Sequence, residues 1–128
     1  MPTKVRILIV EDETSVAQMM ARLLERAGCS VRVADTGEQG LELALENRFD
    51  LITLDVDLPG MTGLTILQEL RQRHISRRTP VVMISGRATE DDRRHALELG
   101  ATDYITKPFP AADFISRIMS QVTENVVA

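Results

Sequence analysis

The sequence is poor in several things at once. It has one cysteine, no tract of low complexity, no internal repeat, no long linker and no excess of positive charge. The lone Cys29 excludes an intrachain disulfide and fits a reducing compartment. No apolar run approaches transmembrane length. The N-terminal stretch MPTKVRILIVEDE offers only about six apolar-rich positions before its acids, without the longer apolar core and small-residue cleavage site of a signal peptide. A net charge of -4 and an isoelectric point near 5.2 argue against nucleic-acid binding by this domain. These absences predict a cytoplasmic chain without membrane contact.

What is present is ordinary for a globular protein: 44% apolar and 27% charged residues over 128 positions. That length makes one domain, able to bury roughly two-thirds of its unfolded surface. Strand-like and helix-like segments alternate. The runs VRILIV (5–10), LITL (51–54) and VVMI (81–84) are nearly continuous and rich in β-branched residues, as in strands covered on both faces. SVRVAD (30–35) and, more loosely, TDYIT (102–106) alternate, as half-exposed edge strands do.

Five helices fit between and after them. Residues 15–27 put Val16, Met19, Met20, Leu23, Leu24 and Ala27 on one stripe, stopped by Gly28. Thr36 with Gln39 reads as a capping box ahead of Leu41, Ala44 and Leu45. Thr62 caps GLTILQEL with Leu64, Leu67 and Leu70 inward, and Thr89 with Asp92 opens EDDRRHALEL, ended by Gly100. The last helix starts near Pro110 and carries Phe114, Ile118 and Val122 at four-residue spacing. Five strands alternating with five helices imply a parallel sheet with helices on both faces, a three-layer α/β sandwich. Periodicity leaves the strand order open but marks the second and fifth strands as edges.

In open α/β sheets, ligands bind beyond the carboxyl ends of the strands. Those ends carry Glu11 and Asp12, then Asp55, Ser85 and Lys107. Three carboxylates, a hydroxyl and an ammonium would share one rim. Gathered carboxylates repel, and a hard cation relieves the repulsion; oxygen ligands with open water positions favour Mg2+. An aspartate there can attack phosphorus and form an aspartyl-phosphate. Lys107 and the metal would stabilise the charge spread over the transferred group, and Ser85 would donate to one of its oxygens.

The stretches ILIVEDE (7–13), LDVDLPGMTGL (54–64), PVVMISGRA (80–88) and GATDYITKPF (100–109) resemble the receiver domain of two-component response regulators, and the likeness runs over essentially the whole chain. The resemblance implies a flavodoxin-like (βα)5 fold with strand order 2-1-3-4-5, and one receiver domain over residues 1–128 with no output domain. It implies Asp55 as phosphoacceptor and Glu11, Asp12, Asp55 and the backbone carbonyl of Asp57 as ligands of Mg2+ or Mn2+. Ser85, Lys107 and Tyr104 would be the phosphate-binding and switch residues, and the Lys107–Pro108 bond would be cis. Asp57, two past the acceptor, and Arg87, two past Ser85, would tune the lifetime of the phosphate, in a direction the resemblance leaves open. The implied partners are a sensor histidine kinase or histidine phosphotransfer protein and a downstream output domain or protein, with room for a phosphorylation-dependent homodimer. The implied function is phosphorelay signalling through the surface of the fourth helix, fifth strand and fifth helix. The domain would catalyse only its own phosphorylation and dephosphorylation, so it is not an enzyme in the ordinary sense.

Two other functions fit part of the pattern. LITLDVDLPG is also similar to the first motif of haloacid-dehalogenase-type phosphatases, with Asp55 as nucleophile and Asp57 as acid/base. In that family the Asp-x-Asp opens the chain, whereas here the acidic pair Glu11–Asp12 precedes it, and the length leaves no room for a substrate-selecting cap. A docking module independent of phosphorylation is the other alternative. Plainer readings suit other residues. Glu13 is an acidic helix start, Met19 and Met20 are core filler, and Pro59, Gly60 and Gly63 serve a tight exit from the third strand. His74 and His95 fall in polar stretches, and the arginines of RQRHISRR (71–78) form a solvated run.

Overall fold

The fold is described by a computed structural model covering residues 4–73, 78–87 and 89–127. His74 and Arg77 of the arginine-rich run therefore lie outside the described residues, and Arg71 is not solvated as expected but half-buried, its Nε donating to the carbonyl of Gly100 at 3.0 Å. Ten elements alternate along the chain: β1 (Arg6–Val10), α1 (Thr14–Arg26), β2 (Ser30–Ala34), α2 (Gly37–Glu46), β3 (Leu51–Asp55), α3 (Gly63–Gln72), β4 (Val81–Ser85), α4 (Glu90–Glu98), β5 (Asp103–Thr106) and α5 (Ala111–Val127). The strands are all parallel, in the order β2-β1-β3-β4-β5. The expected edges are thus the observed ones.

The continuous apolar strands are central because side chains alternate between faces and each face must be covered. Leu8, Val10, Ile52, Leu54, Val81 and Met83 pack with Ala44 of α2, Ile66, Leu67 and Leu70 of α3, and Ala96 of α4. Ile7, Ile9, Leu51, Val82, Ile84 and Ile105 face the other way, onto Met20 and Leu24 of α1 and Phe114, Ile118 and Val122 of α5. Each such fully buried aliphatic side chain contributes about 1.5–3 kcal/mol relative to exposure.

The helix starts use the expected threonines. Thr36, Thr62 and Thr89 accept hydrogen bonds from the amides of Gln39, Thr65 and Asp92. The side chain of Gln39 returns to the amide of Asp35, one residue before the cap. Three positions differ from the periodic reading: Ala27, which is exposed as the C-terminal cap of α1, Met19 and Leu64. Met19 is 43% exposed while Met20 is buried, because Ala17, Met20 and Leu24 form the inward stripe of α1. Ile66 takes the deep position expected of Leu64 in α3, and Leu64 is half-buried. In α4 only Ala96 is buried, and Leu97 is exposed.

Candidate functional site

The carboxyl ends of β1, β3, β4 and β5 bring the predicted residues together. Glu11 follows β1, Asp55 closes β3, Ser85 closes β4 and Lys107 follows β5. Parallel pairing holds these ends level. The amide of Glu11 donates to Ala34, that of Val56 to Ile84 and that of Lys107 to Ser85. The loop after β3 is tight for two reasons. Gly60 has φ +76°, and Gly63 lies so close to β3 that a Cβ there would stand 2.3 Å from the carbonyl oxygen of Asp55.

Glu11 and Asp55 are buried, Asp12 is exposed, and their carboxylate oxygens lie within 4.8 Å of one another. Lys107 bridges the buried pair: its Nζ donates to Glu11 Oε1 at 2.8 Å and to Asp55 Oδ2 at 3.1 Å. The second oxygens are also held, Asp55 Oδ1 by the amide of Asp57 and Glu11 Oε2 by the amide of Glu13. Burial raises the Glu11 carboxyl to about 7, with help from neighbouring Asp55, and Lys107 and the Glu13 amide offset only part of that. Burial alone would lower the Lys107 pKa, but the hydrogen bonds and charges of Glu11 and Asp55 outweigh it and raise the value.

This donor set suits a small hard dication, with three carboxylates, two of them desolvated and still in mutual repulsion. Asp57 turns its carboxylate outward, where Oδ1 lies 3.6 Å from Arg87 Nε and both side chains are largely exposed. Ser85 is fully buried, and its Oγ accepts from the amide of Arg87 at 3.0 Å. Tyr104 is buried, not half-exposed, and its hydroxyl donates to the carbonyl of Arg87 at 3.1 Å. The Lys107–Pro108 peptide is cis. The helix-start residue Glu13 and His95 are both exposed.

One polar residue beneath the rim went unnoticed in the sequence. Thr53 looked like part of the apolar run of β3, and its hydroxyl is buried without a hydrogen-bond partner among the described residues. A groove of about 380 Å³ opens beside Glu11, between α1 and the β2 edge, lined by Thr14, Gln18, Val33 and Asp35. A larger cavity of about 470 Å³, at Phe49 and Asp50, lies at the opposite end of the sheet from the acids.

Comparison with known proteins agrees with this arrangement. The response regulator receiver domain family matches residues 7–119. The transcriptional regulatory protein YkoG of Bacillus subtilis is 39% identical over 95% of this chain and 53% of its own length. CpxR of Escherichia coli is 43% identical over 88% of this chain and 47% of its own. The chain thus spans about half the length of the curated relatives it matches. Among solved structures, a CheY-like receiver domain protein from Methanospirillum hungatei superposes with TM-score 0.89 at 29% identity, covering 96% of this chain and 97% of that one. The receiver domain of a sensor histidine kinase from Pseudomonas aeruginosa, with a magnesium ion coordinated in its active site cleft, gives TM-score 0.87 at 28% identity, covering 94% and 99%. The chain belongs to the response regulator receiver domain family, a signalling domain of two-component systems.

Proposed function

We propose that the domain accepts a phosphoryl group from the phosphohistidine of a sensor kinase or histidine phosphotransfer protein onto Asp55. The observation that carries this reading is the Lys107 ammonium held between buried Glu11 and Asp55. A carboxylate oxygen of Asp55 attacks phosphorus and the P–N bond to the donor imidazole breaks. The electron pair leaves on that nitrogen, and an acyl phosphate remains. Lys107 turns from the carboxylates to an oxygen of the transferred group, and Ser85 Oγ, now an acceptor from Arg87, donates to another.

Glu11, Asp12, Asp55 and the carbonyl of Asp57 would hold Mg2+ or Mn2+. Bound there, the ion would neutralise charge on the acids and on the phosphoryl oxygens. The magnesium in the cleft of the Pseudomonas relative supports this assignment. The groove beside Glu11 leaves the donor a way in from the α1 side. Water attacking the acyl phosphate resets the domain slowly. Arg87 and Asp57 tune both steps from the mouth.

The output is a shift of the α4–β5–α5 surface. α4 suits that role, since one buried residue anchors it and most of its charged residues are exposed. Tyr104 and Ser85 link it to the pocket through the loop at Arg87. The relatives named as transcriptional regulators support a transcriptional output exerted by a further domain or a partner. On this reading the domain is cytoplasmic, without nucleic-acid contact of its own and with room for a phosphorylation-dependent homodimer. Hydroxylamine tests the chemistry. A label from a phosphohistidine donor that hydroxylamine removes is an acyl phosphate, whereas a resistant label is an ester on serine or threonine and contradicts the assignment.

A further inference from the structure

Thr53 Oγ1 is the buried side-chain oxygen that finds no hydrogen-bond partner among the described residues, and Thr53 is 1% exposed. Alternation along β3 puts Thr53 on the face of Leu51 and Asp55. Pairing sets it between Ile9 of β1 and Val82 of β4. The next residue on that face of β1 is Glu11. The surrounding layer is otherwise Ile7, Ile9, Leu51, Val82 and Ile84. A single hydroxyl therefore lies one pleat step beneath the two carboxylates that grip Lys107.

A hydroxyl in such a layer carries its desolvation penalty in full unless something bonds it. Valine would fill the same space without that penalty and suits a strand equally well. Two residues along a strand span roughly 6.6 Å, too far for a direct bond from Thr53 Oγ1 to the acids above and suited to two bonds through one water. The acids have capacity for it. Each of their four oxygens takes one donor, from Lys107, Asp57 or Glu13, and keeps a second lone pair.

We propose that Thr53 holds an internal water beneath Asp55 and Glu11, and that this water positions the Asp55 carboxylate. The water accepts from the Thr53 hydroxyl and donates one proton to each acid, three bonds in all, as is typical of a buried water. Thr53 is then a positioning residue that acts through Asp55. The proposal rests on the reading of Asp55 and Glu11 as a cation-binding, phosphoacceptor pair.

Crystal structures and Mn2+ titrations of the wild type, Thr53→Val and Thr53→Ser test it. The expected wild-type structure has a water in hydrogen-bond contact with Thr53 Oγ1 and an acid oxygen, lost in Thr53→Val and kept in Thr53→Ser. Removing such outer-shell support costs about tenfold in metal affinity. Thr53→Val is therefore expected to bind Mn2+ about tenfold more weakly while keeping its fold by circular dichroism, and Thr53→Ser to restore binding. A dry Thr53 hydroxyl, or wild-type affinity in Thr53→Val, overturns the proposal. Should no version bind Mn2+, the cation-binding reading fails, and the presence or absence of the water then decides the Thr53 proposal alone.

Discussion

The hydroxyl of Tyr104 donates to the backbone carbonyl of Arg87 at 3.1 Å. Arg87 thereby joins three things. Its carbonyl takes the buried aromatic, its amide donates to Ser85, and its guanidinium faces Asp57. Asp57 in turn donates its own amide to Asp55. A change of charge at Asp55 thus has a short route to the side chain on β5, made of covalent bonds, hydrogen bonds and the Asp57–Arg87 ion pair.

Tyr104 is the sole tyrosine and there is no tryptophan, so intrinsic emission reports this side chain alone. Loading the pocket with Mg2+ and beryllofluoride is expected to change the intensity of that emission, and Asp55→Asn to abolish the change. Unaltered emission in a pocket shown by other means to be loaded would remove Tyr104 from the switch.

Stability should depend on pH through Glu11. Its carboxyl sits at about 7 in the folded protein against an ordinary 4.5, so the folded state holds a proton that the unfolded chain releases between those values. Stability from this group is present below pH 4.5 and is lost as pH rises through 7, by on the order of 3 kcal/mol. Metal-free protein is expected to melt at lower temperature as pH climbs from 5 to 7.5, with Glu11→Gln flattening that trend. An unchanged slope in the variant would place the origin elsewhere. The raised pKa of Lys107 acts in another window, its stability being present below about pH 10.5 and lost above.

Asp57 and Arg87 should sort ligands by charge. Both are well exposed, so neither substitution is expected to move the melting temperature. Arg87→Ala removes a cation from the mouth. It is expected to slow phosphorylation by anionic acetyl phosphate about two- to fivefold and to tighten Mg2+ binding comparably, with Asp57→Asn doing the reverse. Stopped-flow phosphorylation and metal titrations measure both. Shifts in the same direction for both variants would contradict a charge effect.

Gly63→Ala should be costly far out of proportion to one methyl group. The new Cβ would press on the carbonyl of Asp55 and on the backbone of Val56, and backbone cannot yield as a side-chain tip does. A loss of about 1–3 kcal/mol in urea unfolding is expected, together with slower phosphorylation, because the displaced strand end carries Asp55. A fully stable variant would show that the loop after β3 relaxes more easily than the contact distances indicate.

Much of the fold was readable because its signals are local. Apolar runs marked the buried strands, alternation marked β2 and β5, and threonine caps marked three helix starts. The rim residues were readable because parallel strands all end on the same side, which turns positions in the chain into neighbours in space. Met19 and Leu64 depart from the helical reading because helical spacing defines a stripe but not which edge of it meets the sheet. Thr53 escaped notice for a related reason. One hydroxyl inside an apolar run reads as a tolerated strand residue, and only the register shows that it lies beneath two acids. The Asp57–Arg87 contact joins two loops, whose approach no periodicity reports.

Intact-mass spectrometry after incubation with acetyl phosphate and Mg2+, beside Asp55→Asn and a chelated control, tests the central claim most directly. The account predicts one phosphoryl adduct on the wild type, absent without metal and absent from the variant. An adduct that survives in Asp55→Asn, or a wild type that neither gains an adduct nor releases phosphate from the donor, would contradict it.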